Sequence, residues 1–192
     1  MRKVKFRVAN SLDNYIARLD GSVDWILHST DTNSSLADFW KTIDTVLWGR
    51  KTYDLVKGKM PAYPGVKNYV FSRTLKESAD KGVDLINGDA VDFVRSLKNQ
   101  EGKDIFVMGG GELAKSLFEA DLIDEVGMNI HPVLLGSGIA LFHEMKGQIN
   151  LELLECKSLK NGCVLIFYRI VRARARLHIT AQSNNSFNAS GD

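Results

Sequence analysis

The chain contains little cysteine and little proline. Its 192 residues include two cysteines, Cys156 and Cys163, and three prolines. Two cysteines cannot form the disulfide framework of a small secreted scaffold, and a chain of this length can bury a sizeable core without one. The two cysteines fall in neighbouring predicted strands, so a disulfide is geometrically allowed, but two reduced core thiols are the favoured interpretation.

Long apolar runs are also missing. No run approaches the roughly 18 residues that a membrane-spanning helix needs. The first nine residues alternate basic and apolar side chains, which is typical of a strand and not of a signal peptide. We therefore expect a cytoplasmic protein with no membrane partner.

Several motifs of common enzyme classes are absent from the sequence. No G-x-G-x-x-G follows the first predicted strand and no G-x-x-x-x-G-K-[ST] occurs, which excludes a Rossmann fingerprint and a P-loop. The chain also lacks the C-x-x-C of zinc deaminases and the G-x-S-x-G of hydrolases. His28 and His143 have no metal-ligand spacing with the cysteines, so no metal site is predicted.

The charges are balanced over most of the chain. The formal net charge of +2 arises in the last 21 residues, which leaves 22 basic and 22 acidic side chains in residues 1–171. A neutral body argues against a nucleic-acid surface, which needs a clustered basic face. Residues 172–192 are rich in Arg, Ser and Asn, and we interpret them as a disordered tail or a remnant of cloning behind one domain, residues 1–171.

Apolar runs alternate with helical patterns along the domain. Residues 45–48, 68–71 and 104–108 read as buried strands, and helical spacing predicts a helix that begins near Ser34 or Ser35, after a polar loop. Two further strands flank the turn Lys160-Asn161-Gly162, a strong hairpin signal. This order predicts a three-layer α/β domain with a mixed sheet.

Basic or glycine-rich segments follow the three buried runs. These segments are Gly49-Arg50-Lys51-Thr52, Ser72-Arg73-Thr74 and Gly109-Gly110-Gly111. In open α/β sheets ligands bind beyond the carboxyl ends of strands, where glycine permits close backbone approach and arginine matches phosphate geometry. Together the three segments predict a nucleotide cofactor with separated phosphates. Each has an ordinary alternative taken alone: a tight turn, a basic helix start or a hydrophilic loop.

The same segments resemble the nucleotide-binding signatures of the dihydrofolate reductase superfamily. Ser11 to Ala17 with Gly21 to Trp25, and Leu122 to Glu125 with Ile130 to Gly138, are similar to the riboflavin-biosynthesis reductase domain and its small stand-alone bacterial relatives. The resemblance covers residues 3–170 in consistent order. It implies a three-layer α/β/α dihydrofolate reductase-like fold, whose mixed, mostly parallel sheet is closed by a C-terminal antiparallel hairpin.

The resemblance also implies which residues would hold NADPH. Residues that would contact its phosphates are Gly49, Arg50, Lys51, Thr52, Ser72, Arg73, Thr74, Gly109, Gly110, Gly111, Glu112 and Leu113. The 2′-phosphate would lie at Ser72 and Arg73, with help from Thr74, which selects NADPH over NADH. Small or apolar side chains would flank the nicotinamide; these are Ala9, Ile16 and Ala17.

The substrate end carries less specific signals. Asp13 matches an aspartate that riboflavin-pathway members use, although Asn14 stands where glycine is usual. Asp31 and Asp38 are the candidates for the acid that folate reducers place on their first long helix. Asp13 and Asp31 are thus the catalytic candidates, and the substrate candidates are Trp25, Asp38 and Phe39. Each has a structural alternative, as a turn-former, a solvated position or a core aromatic.

The function implied is an NADPH-dependent reductase that transfers hydride to a small heterocycle, either a pteridine or a ribosylaminopyrimidine. The proton would come from water or from an acid such as Asp13 or Asp31. The alternative is a non-catalytic NADPH-binding sensor or scaffold. The exposed edge of the final hairpin also offers a surface through which the chain could form a homodimer.

Overall fold

Ten strands and four helices are formed by the residues that the computed structural model describes, which are 1–28, 30–58 and 65–172. For residues 30–35 the description is confined to the backbone. In chain order the elements are β1 (Val4–Ser11), β2 (Tyr15–Ala17), α1 (Thr30–Lys41), β3 (Ile43–Gly49), α2 (Arg50–Val56), β4 (Lys67–Phe71), β5 (Val83–Ile86), α3 (Ala90–Lys98), β6 (Asp104–Gly109), α4 (Gly111–Glu119), β7 (Glu125–His131), β8 (Ile139–Ala140), β9 (Asn150–Ser158) and β10 (Val164–Val171).

Eight of these strands form one mixed sheet in the order β5-β4-β3-β6-β1-β7-β10-β9. All pairs from β5 to β7 are parallel, whereas β10 is antiparallel to both β7 and β9. The short strands β2 and β8 pair separately. The predicted sheet, mostly parallel and closed by a C-terminal hairpin, is therefore confirmed. Gly162 has a φ of 84° in the connecting turn, which explains the glycine there.

Helices cover both faces of the sheet because neighbouring residues of each central strand are buried on opposite sides. On one face Leu47 packs with side chains of α3 and α4 such as Val94 and Leu117. On the other, Val46 packs with Phe39 of α1 and Tyr53 of α2. We call these the α3–α4 face and the α1–α2 face. The double coverage explains the continuous apolar runs.

Some element boundaries differ from the sequence prediction. Helix α1 begins at Thr30, whereas residues 28–35 were expected to be a loop, because its first two turns lack the apolar spacing that marks a helix. Strands β5 and β8 were not predicted, and β5 is a short edge strand at one end of the sheet. Asp89 caps α3, since its carboxylate accepts the N–H groups of Val91 and Asp92.

The cysteines and the chain end require two corrections. Both cysteines are free, but only Cys163 is buried; Cys156 is exposed on β9. Arg172, assigned to the tail from sequence, belongs to the folded unit because its guanidinium bonds the carboxylates of Asp121 and Asp124. Residues 173–192 lie outside the described residues. Within the described chain, every helix is too short or too polar to span a membrane.

Candidate functional site

The three glycine-rich and basic segments lie side by side at one edge of the sheet. They follow β4, β3 and β6, which are consecutive in the sheet order and parallel. Their carboxyl ends therefore meet at the same edge, as the sequence predicted. The structure thus brings together the residues that the resemblance assigned to the phosphates.

Backbone contact between two of these segments depends on glycine. A Cβ on Gly49 would lie 2.9 Å from Cα of Gly110 and 3.1 Å from the carbonyl oxygen of Gly109. Gly110 also has a φ of 96°, which L side chains rarely adopt. The first turn of α4 follows directly, so its free N–H groups lie at this contact. Gly49 and Gly110 therefore cannot carry side chains, and the peptide groups of the two segments lie together.

Three cations lie in the segments that follow β3 and β4, and they differ in whether they form an ion pair. Arg50 donates from Nε to Asp54 Oδ2 at 2.6 Å, and Lys51 Nζ lies 3.0 Å from Glu112 Oε1. The hydrogen bond from Lys51 lowers the pKa of Glu112, so the acid is ionised at neutral pH. Arg73 is exposed and makes no ion pair or hydrogen bond with the described residues. Its guanidinium is free to bind an anion.

Ser72 shapes the loop that carries Arg73. It is 7% exposed, and its Oγ accepts the N–H groups of Thr74 at 3.3 Å and Leu75 at 3.0 Å. Arg50 Nη1 approaches the same oxygen at 3.4 Å. The hydroxyl hydrogen is not used by these three contacts. Ser72 therefore holds the loop and retains a donor for a phosphate oxygen.

Asp13 is fixed at a junction of loops. Its Oδ1 accepts from Ser11 Oγ at 2.6 Å and from the Leu135 N–H at 3.1 Å, and its Oδ2 accepts from the Gly136 N–H at 2.8 Å. The Ser11 hydroxyl and these N–H groups lower the pKa of Asp13 below its ordinary value. An ionised carboxylate is poorly suited to donate a proton. Asn14 has a φ of 63°, which accounts for glycine being usual there and for asparagine being tolerated.

Asp38 has no contact with Asp13 among the described residues. Asp38 is exposed on α1 and bonds Lys41 Nζ at 2.8 Å on its own helix, which lowers the pKa of Asp38. The Asp31 side chain lies outside the described residues. The structure therefore describes no pair of acids at the site among the residues whose side chains it includes.

The apolar candidates divide between strand end and core. Ala9 is half-buried near the end of β1, beside Asn129 of β7. Ile16 packs against the α3–α4 core, and Ala17 is buried in the β2–β8 pair. Phe39 is 4% exposed and meets Phe106 edge-to-face at 5.0 Å, so it is a core residue of the α1–α2 face.

Arg7 was not singled out from the sequence. Its Cζ lies 3.9 Å from the Phe39 ring centroid and 4.4 Å from that of Phe167, so the guanidinium packs against two aromatic rings. A Cβ on Gly127 would lie 2.7 Å from the Phe167 ring, so Gly127 provides room for the stack. Burial lowers the pKa of Arg7. The alternation of basic residues along β1 was the available signal, but it reads equally as a solvated strand face.

His131 and His143 also adjoin the site. His131 is fully buried at the end of β7, where Trp25 meets it edge-to-face at 5.3 Å. This contact places the predicted substrate residue Trp25 in the core, 7% exposed. His143 packs on the start of α4, since a Cβ on Gly111 would collide with its imidazole ring. Sequence spacing gave no reason to place His143 there.

Residues 2–165 match the family model of the RibD C-terminal domain. Over 171 residues the chain is 37% identical to YwjB of Bacillus subtilis (strain 168), a protein of uncharacterized function, in a match that covers 88% of this chain and 98% of YwjB. The structure is similar to that of a Shewanella sp. PV-4 protein ascribed to riboflavin biosynthesis, with a TM-score of 0.77 and 26% identity, covering 90% of this chain and all of that one.

A likeness in fold alone extends to the dihydrofolate reductase of Enterococcus faecalis, which was solved in complex with NADP(H). The TM-score is 0.67 at 18% identity, and the match covers 88% of this chain and 97% of that one. The resemblance and the fold class drawn from the sequence are both confirmed.

Proposed function

Because the chain belongs to the RibD C-terminal domain family, we propose that it is a reductase that uses NADPH to reduce a small heterocycle, a pteridine or a ribosylaminopyrimidine. The observation that carries the proposal is the Gly49–Gly110 contact, with an unpaired Arg73 on the neighbouring loop. Such a combination of open peptide groups and free guanidinium suits a ligand with separated phosphates.

The residues at the sheet edge fit the cofactor. A Cβ at Gly49 or Gly110 would fill the space at their contact, so glycine keeps the peptide N–H groups near the first turn of α4 within reach of pyrophosphate oxygens. Arg73 and the Ser72 hydroxyl would hold the 2′-phosphate, and Arg50, Lys51 and Thr52 would supply charge and a hydroxyl near the other phosphates. The exposed Lys51–Glu112 ion pair is loose enough to exchange for a phosphate.

The chain's own residues position and shield the reaction. Bound NADPH would supply the hydride from its nicotinamide ring. Ala9, at the half-buried end of β1, offers a small side chain that lets the ring lie close to the sheet. Asp13 fastens the loop at residues 135–136 to the end of β1 and stays ionised, so we assign the proton to water and give Asp13 a positioning role.

The test is a turnover assay of the full chain. NADPH oxidation is followed by loss of absorbance at the reduced-nicotinamide band, with dihydrofolate, other pteridines and ribosylaminopyrimidines offered in turn. We expect turnover with one of these two classes. Tight NADPH binding without turnover on any of them would instead support the non-catalytic sensor or scaffold, and absence of NADPH binding would contradict both.

A further inference from the structure

A buried polar cluster lies at the end of β7, away from the phosphate-binding segments. We call it the His131 cluster; it comprises Trp25, Asn129, His131 and Cys163. His131 is fully buried, Cys163 is fully buried and Trp25 is 7% exposed. Asn129 is half-buried and pairs in register with Ala9 of β1. The cluster therefore adjoins the strand end where we place the nicotinamide.

Hydrogen bonds fix the tautomer of His131. The Leu27 N–H donates to its Nδ1 at 3.1 Å, and the Cys163 thiol lies 3.3 Å from the same atom. Nδ1 is therefore an acceptor and carries no proton. Burial lowers the pKa of His131, so the ring is neutral and its hydrogen is on Nε2.

The tautomer in turn fixes the amide of Asn129. One amide atom of Asn129 lies 3.2 Å from His131 Nε2, and the other is buried without a hydrogen-bond partner among the described residues. Because Nε2 carries the hydrogen, the atom facing it must be the amide oxygen. The amide NH2 then occupies the unpartnered position. The two orientations of an asparagine amide have the same shape, so the hydrogen-bond network decides between them, and it selects the one with the oxygen toward His131.

Trp25 supplies a second unpartnered donor. Its Nε1–H is buried and has no acceptor among the described residues, while its ring contacts His131. Buried donors without acceptors are costly and rare in folded proteins. Both donors belong to side chains that contact the His131 imidazole, and Asn129 pairs with Ala9, so a ligand bound at this strand end would supply the missing acceptors.

We propose that Asn129 and Trp25 determine substrate specificity by donating hydrogen bonds to exocyclic oxygen atoms of the heterocycle. His131 is a positioning residue, which holds the Asn129 amide with its NH2 available. This inference rests on the proposed function, because it places the heterocycle beside the nicotinamide. It goes further by assigning the preference for exocyclic oxygens over amino groups to these two side chains.

The test uses a matched pair of probes and the full-length protein saturated with NADP⁺. Diaminouracil carries two exocyclic oxygens where tetraaminopyrimidine carries amino groups. We expect diaminouracil to bind roughly tenfold more tightly, as the loss of a buried acceptor implies. In ¹⁵N-labelled protein the Trp25 indole N–H signal should move downfield with diaminouracil alone. The signal of Trp48, whose indole already donates to Asn68 at 3.0 Å, should stay in place as an internal control.

Two variants distinguish hydrogen-bond donation to the ligand from a purely structural role of Asn129 and Trp25. Asn129→Asp keeps an oxygen for the His131 Nε2–H but removes the NH2, so it should abolish the preference for diaminouracil while NADPH affinity is unchanged. Trp25→Phe assigns the indole signal and should reduce the preference. Equal affinity for the two probes, preference for tetraaminopyrimidine, no binding of either, or an unmoved indole signal in the wild-type protein would overturn the proposal. NADPH titration of the same samples shows independently whether the proposed function fails.

Discussion

At the scale of single residues, glycines shape much of the site because they have no side chain. The position of Gly110 between a strand and a helix was predictable, because a triglycine after an apolar run is an identifiable motif. It did not predict Gly127, whose partners Arg7 and Phe167 come from strands far apart in the chain. Likewise the unpaired donors of the His131 cluster follow from contacts among three segments, which no local pattern encodes.

The glycine contact gives a direct prediction. Gly110→Val should abolish NADPH binding measured by calorimetry, because the side chain would enter the backbone of Gly49, 2.9 Å away at Cβ. The matched control is Gly82→Val. Gly82 also has a positive φ, 76°, but an added Cβ there meets nothing within 4 Å, so the control shares the backbone strain without the clash. Equal effects of the two substitutions would remove Gly110 from the binding site.

Asp13 predicts a pH dependence of stability. Its pKa is lowered in the folded protein from the ordinary 3.8, so the unfolded chain binds its proton more readily as pH falls. The contribution is complete well above pH 3.8 and is lost as pH falls below that value. Asp13→Asn should therefore lower Tm at pH 7, and the difference from the wild type should shrink below pH 3.8. A difference that does not shrink at all as pH falls below 3.8 would show that the carboxylate charge is not involved.

At the scale of elements, the strands and helices with regular apolar spacing were predictable. Strand β6, helix α3 and the β9–β10 hairpin follow from periodicity and turn residues, because local sequence alone specifies them. The predicted start of α1 was wrong, because its first two turns are polar and lack the apolar spacing of a helix. The ends of elements are instead fastened by buried charges that spacing does not reveal, such as Lys98, 6% exposed, which meets Asp124 at the start of β7.

This buried pair predicts a large loss of stability on substitution. Asp124 also accepts the Val4 N–H at 2.7 Å and bonds Arg172. Asp124→Ala leaves Lys98 buried without its carboxylate, and we expect a loss of about 3–5 kcal/mol in the free energy of unfolding by urea. Asp92→Ala breaks only an exposed pair with Arg95 and should cost less than about 1 kcal/mol. Comparable losses of stability in the two variants would contradict the distinction between the buried and the exposed ion pair.

At the scale of the whole molecule, the sheet order creates the site. Periodicity predicted the strands, but not that β4, β3 and β6 are neighbours, because strand order depends on contacts between segments that are far apart in the chain. The same order leaves β9 at an edge, where Leu151, Leu153 and Leu154 are 43%, 55% and 47% exposed. An exposed apolar edge strand is a surface for association.

From the exposed leucines on β9 we predict that the protein forms a homodimer through this edge strand. Analytical ultracentrifugation should show a dimer for the wild type and a monomer for Leu153→Glu, since a charge in the interface has no partner there. Leu134→Glu, at an exposed leucine outside β9, is the matched control and should stay dimeric. A monomeric wild type would contradict the prediction.

The most direct measurement of the central claim is calorimetric titration of the full chain and of Arg73→Ala with NADPH and NADH. Only NADPH carries the 2′-phosphate that we assign to Ser72 and Arg73. We predict a clear preference of the wild type for NADPH, and a loss of roughly tenfold or more in NADPH affinity for Arg73→Ala with NADH affinity nearly unchanged. Absence of binding to either nucleotide, or equal weakening of both by Arg73→Ala, would contradict the account.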